Sequence, residues 1–104
     1  MRPSTYLKKF LKDLKKINDW DTYFEAEAGL IKVYREKGDS IKAEEEVKNG
    51  MDTADKIIGS MKTKKEKAEF KEIISYVYDL AVDMALESED VNRAMELAQK
   101  IKNI

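Results

Sequence analysis

The chain has no cysteine and no histidine. That removes disulfides, thiolate and imidazole metal ligands, cysteine nucleophiles and histidine general bases. One proline and four glycines in 104 residues leave little material for sheet-rich turns or phosphate-cradling loops. Neither a Gly-x-Gly-x-x-Gly nor a Walker pattern is present. No stretch approaches the roughly 18 uncharged apolar residues that suggest a spanning helix. Lysines are scattered through the N-terminal segment, where a signal peptide would need a basic stub and then an apolar run. With cysteine also absent, a cytoplasmic location is the expectation, and no cofactor is expected. An excess of charge is lacking too, since 20 basic residues nearly cancel 21 acidic ones.

What remains is 42% hydrophobic and 39% charged. A disordered chain would carry fewer apolar residues and a larger net charge. The length suits one core, so residues 1–104 are expected to form a single helical domain.

Periodicity and punctuation predict five helices and no strand. The first runs from about Thr5 to Ile17, with Leu7, Phe10, Leu11, Leu14 and Ile17 on one stripe. Pro3 and Ser4 suit its start. The second runs from about Tyr23 to Lys37, with Thr22 and Glu25 as a capping box and Gly38 as its C-terminal glycine. The third, about Ile41 to Ser60, is capped by Asp39 or Ser40. Its stripe is Val47, Met51, Ala54, Ile58 and Met61. The fourth opens on a second capping box, Thr63 and Glu66, and continues to about Leu86. Asp90 caps the last, which carries Val91, Ala94, Met95, Ala98 and Ile101. Connections of about two to six residues imply antiparallel neighbours.

Two hairpins share a frame. Gly38-Asp39 lies over Glu89-Asp90, Ala43 over Ala94, Leu30 over Ala81, Tyr34 over Ala85 and Val47 over Ala98. The small alanine past each turn lets two antiparallel helices approach closely. These residues, with Gly50 in the first unit and Tyr78 and Val82 in the second, resemble the tetratricopeptide repeat. The run Ala94–Ile101 also resembles the second helix of repeats common in archaeal helical-repeat proteins. Together the two units cover about 60 residues of the chain. Some positions depart from the family pattern. Glu27 stands where the family prefers an aromatic, Ile31 where it prefers a small residue, and Asp55 where it has a proline. The turns are 51 residues apart, against the family's 34.

The resemblance implies an all-α fold of about five antiparallel helices in a right-handed superhelix. Residues 1–20 would form a capping helix, and residues 22–60 and 63–104 two hairpins. The same helices would also make an irregular five-helix bundle.

Charge is uneven along the chain. Residues 1–17 sum to +5, residues 18–60 to −5, residues 61–74 to +2 and residues 75–104 to −3. The first helix, with Arg2, Lys8, Lys9, Lys12, Lys15 and Lys16, is basic on one side and apolar on the other. It is read as a docking helix with wet lysines, or as a surface for nucleic acid. No recognition motif or aromatic strand platform accompanies it, which makes nucleic acid the lesser reading.

Carboxylate pairs such as Asp79 and Asp83, or the row Glu44, Glu45 and Glu46, read as solvated helix faces balanced by lysines. Acid–base chemistry would require a pocket that splits their pKa values, and nothing in the pattern marks one. The chain is therefore read as not an enzyme. In the family it resembles, the first helix of each pair lines a concave groove. That would bring Glu25, Ala28, Lys32, Arg35 and Glu36 together with Tyr76, Asp79, Asp83 and Glu87. Of these, Lys32, Arg35, Tyr76, Asp79 and Asp83 are the expected partner-binding residues. Tyr76 and Tyr78 lie about 200° apart on a helix, so one must be accessible, and Tyr76 is the choice. The implied function is a non-catalytic protein-interaction module for a peptide, a helix or a second copy of the chain. Self-association through the last hairpin, as a homodimer, is a further expectation.

Overall fold

The computed structural model describes residues 3–104, with side chains from residue 5 onward. Arg2 of the basic run lies outside the described residues, as do the side chains of Pro3 and Ser4. Five α-helices follow one another: α1 Pro3–Ile17, α2 Trp20–Glu36, α3 Ser40–Ser60, α4 Lys64–Glu87 and α5 Val91–Lys102. No strand occurs among the described residues.

The largest departure from expectation is the start of α2. Thr22 and Glu25 do not form its capping box. Asp19 caps the helix three residues earlier and accepts from the Thr22 backbone N–H at 3.3 Å and the Thr22 hydroxyl at 2.9 Å. Thr63 and Glu66 do cap α4, with the Glu66 N–H donating to the Thr63 hydroxyl oxygen at 3.1 Å. Asp39 caps α3 and Asp90 caps α5.

Three of the four connections are the same turn. Asn18, Gly38 and Glu89 each adopt a left-handed backbone, with φ of 57°, 74° and 59°. Each is followed by an aspartate whose N–H reaches back to a carbonyl five residues earlier: Asp19 to Leu14 at 3.1 Å, Asp39 to Tyr34 at 2.9 Å, Asp90 to Ala85 at 2.8 Å. These are Schellman closures, and the same aspartate then caps the next helix. One short residue thus ends one helix and starts another. The α3–α4 connection differs, because Met61 and Thr63 are extended.

Helix α2 packs on α1, α3 and α4, and α4 packs on α2, α3 and α5. Helix α1 packs on α2 and α5 on α4, and the ion pairs Arg93–Glu44 and Lys100–Asp55 also tie α5 to α3. The result is a slab of 40 × 36 × 16 Å. This contact order suits either a superhelix or a bundle. Its centre is an edge-to-face chain of rings, Trp20 on Tyr23 on Phe24 on Phe70, with centroids 4.9–5.6 Å apart. Leu30, Ile31, Val47, Ile74 and Val77 fill in around it. Burying each such aliphatic side chain contributes about 1.5–3 kcal/mol. Ala43 and Ala94 are buried where the hairpin helices approach, as their size predicts.

Two stripes are narrower than expected. On α1, Leu11 and Leu14 are buried, but Phe10 and Ile17 are exposed. With only α2 beneath it, α1 cannot cover so wide an arc. On α5, Ala98 is exposed and Leu97 takes the buried place.

Candidate functional site

The expected partner-binding residues lie on α2 and α4, which pack side by side. Lys32, Tyr76, Asp79 and Asp83 are exposed, and Tyr78 is the buried tyrosine. Tyr76, Asp79 and Asp83 fall three and four residues apart, on one face of α4. Arg35 is different. It is half-buried and forms an ion pair with Glu87, tying α2 to α4. It therefore fastens the two helices together. Ala28, expected in the groove, is buried. Among the described residues no ion pair joins Lys32 to Asp79 or Asp83.

The basic residues of α1 lie along one side of the helix, within an arc of about 120°. Lys8, Lys9, Lys12, Lys15 and Lys16 are all exposed. Lys8, Lys12 and Lys15 border a cleft toward α2 and α3, and Lys9 borders a neighbouring hollow with Tyr6 and Phe10. Two of the lysines rest over rings: Lys15 Nζ is 5.3 Å from the Tyr23 centroid and Lys8 Nζ is 6.0 Å from that of Tyr34.

The cleft toward α3 was not foreseen from the chain. It has a volume of about 290 Å³ and is bordered by Lys8, Leu11, Lys12, Lys15, Tyr23, Glu27, Glu46 and Asn49. Glu46 is buried, so the reading of Glu44, Glu45 and Glu46 as a solvated row fails at its last member. Glu27 is 1% exposed, and its Oε1 has no hydrogen-bond partner. Burial, and then the charge of Glu46 and hydrogen bonding to it, push the Glu27 carboxyl up to about 8, against the lowering influence of Tyr23 hydrogen bonding and, last, of Lys15. Burial also raises the Tyr23 hydroxyl, which shares a 3.3 Å hydrogen bond with Thr53. Asn49 Nδ2 donates to Glu46 Oε1 at 3.4 Å.

Helix geometry explains why these groups meet. Tyr23 and Glu27 lie one turn apart on α2. Glu46, Asn49 and Thr53 follow the same spacing on α3, and Gly50 between them admits the other helix. A Cβ at Gly50 would lie 3.2 Å from Glu27 Cγ and 3.2 Å from Val77 Cγ1. No group of three or more His, Cys, Asp or Glu side chains that could hold a metal exists among the described residues.

One signal in the sequence did point here. Glu27 breaks the aromatic preference of its position. The shared frame, extended by 51 residues, sets Tyr78 opposite Glu27 and Leu97 opposite Glu46.

No protein-family model matches the chain, and neither a curated protein nor a solved structure does.

Proposed function

We propose that the protein is a non-catalytic interaction module whose binding surface is the shared outer face of α2 and α4. In this reading α2–α3 and α4–α5 are tetratricopeptide-like hairpins, and α1 caps the first of them. The observation that carries it is Tyr76, a large aromatic left 53% exposed on α4. Asp79 and Asp83 flank it, and Lys32 stands on the neighbouring helix. An exposed aromatic anchor with a two-signed polar rim is what recognition of a partner peptide or helix requires. The nucleic-acid alternative draws less support, because the net charge is −1 and no recognition motif accompanies the α1 lysines.

The test is capture of partners from source lysate by tagged wild-type chain, Tyr76→Ala and Asp83→Lys, with and without nuclease. Both substituted residues are exposed, so melting temperatures should not move by more than a degree or two. The expected result is a protein partner that survives nuclease, weakens with Asp83→Lys and disappears with Tyr76→Ala. Capture that vanishes with nuclease, or that ignores both substitutions, would overturn the proposal.

A further inference from the structure

We propose that the cleft between α1, α2 and α3 binds a small zwitterion, its ammonium on Glu27 and Glu46 and its acid group on the lysines of α1. The inference concerns a different surface from the α2–α4 face and does not depend on it.

The first support is an unmet hydrogen bond. Glu27 is 1% exposed, and its Oε1 has no partner although it borders an open cleft. Buried polar atoms are rarely left so, and each one calls for an explanation. Gly50 lies against the Glu27 Cγ from behind. A partner must therefore come from the cleft side.

The second support is charge. The Glu46 carboxylate, the Glu27 acid and three lysines border one cleft of about 290 Å³, yet no ion pair links them. Lys8 and Lys15 instead rest over the Tyr34 and Tyr23 rings. Opposite charges stand unjoined on two walls of the same opening, and a molecule carrying both signs would bridge them.

The third support comes from the other hairpin. The positions equivalent to Glu27 and Glu46 hold Tyr78 and Leu97, both buried. The frame thus accepts apolar residues there, and packing alone does not require a carboxylate pair. Replacing buried charges with well-packed apolar groups is often neutral or stabilising, so acids kept here suggest a use.

The chemistry narrows the ligand. Two carboxylates with no third acid fall short of a dedicated divalent-cation cage. A simple anion would satisfy the lysines but leave the Glu27 oxygen unpaired. An ammonium supplies three donors, enough for Oε1 and for Glu46. At about 290 Å³ the opening lies at the small end of ligand sites, which suits a molecule of amino-acid size.

The experiment uses the full chain and a series of ω-amino acids, from glycine to 6-aminohexanoate, read by thermal melting and by NMR chemical shifts. Butylamine, butanoate and magnesium chloride serve as single-charge controls. The expected result is that one chain length raises the melting temperature by about 10 °C at about a hundredfold excess over its dissociation constant. Its shifts should centre on Glu27, Glu46, Asn49 and Lys15. Glu46→Gln and Lys15→Met should each weaken binding about tenfold or more. Should either variant fail to fold, the wild-type shift map decides between the outcomes. Butylamine or magnesium equalling the best ω-amino acid would overturn the proposal. So would shifts centred elsewhere, or no binding by any member up to about 10 mM.

Discussion

The hairpins α2–α3 and α4–α5 share a turn, a close-packed alanine and a helix order, but they differ where their helices cross. In the first, Glu27 meets Glu46 beside Gly50. In the second, the corresponding residues are Tyr78, Leu97 and Ile101. Tyr78 is also imperfectly served, since its hydroxyl is buried without a partner. The two defects are unequal. An unpaired neutral hydroxyl costs about 1–3 kcal/mol, whereas a buried carboxylate is driven to hold a proton to avoid more. One frame thus supports an apolar crossing and a polar one, and the polar one opens on a cleft.

The largest expected effect that would sharpen this contrast is in the second hairpin. Tyr78→Ala should cost about 3–5 kcal/mol of unfolding free energy in urea titrations, the range for a buried aromatic. Glu27→Ala, at the matching place and equally buried, should cost clearly less, because it also removes a desolvated acid. Equal losses would break the comparison.

Next comes pH. The folded chain holds the Glu27 proton more tightly than the unfolded chain does. That contribution is complete below the ordinary carboxylate range near 4.5 and fades as pH rises to about 8. Unfolding free energy should therefore fall across that window, by at most a few kcal/mol. Glu27→Gln should flatten the profile and leave the variant the more stable one at pH 9. A wild-type profile that stays flat, or rises, from pH 5 to pH 8 would remove the electrostatic half of the contrast.

The smallest effect concerns the turns. Glu89 and Gly38 occupy the same left-handed position, but only glycine does so without a Cβ penalty. Glu89→Gly should add about 1 kcal/mol, and Gly38→Ala should remove about as much. Chemical denaturation of both variants checks this. A loss of stability in Glu89→Gly, or a gain in Gly38→Ala, would mean that the two turns are not energetically alike.

The helices were legible in the chain because their signals are local. Gly38, Asp39, Thr63 and Asp90 act within one turn of where they stand, and stripes such as Phe70, Ile74, Val77 and Ala81 repeat with the helix period. Asp19 is not legible in the chain as the cap of α2, because only the backbone shows Asn18 left-handed. Lys32, Tyr76, Asp79 and Asp83, expected at a binding surface, are exposed. Arg35 was not read as tied to Glu87, a pairing 52 residues apart that no local pattern encodes.

By itself the sequence determined the number of helices, most of their ends, the turn chemistry and the absence of histidine and cysteine chemistry. These follow from propensity, capping and composition, which act over a few residues. The tertiary structure decided that Glu46 leaves its row for the interior, that Glu27 loses water and holds its proton, and that Lys8, Lys12 and Lys15 border a cleft toward α3. Each of those outcomes depends on which helix lies across from the residue. Desolvation and charge coupling arise only when distant segments pack, so no local reading of α1, α2 or α3 contains them.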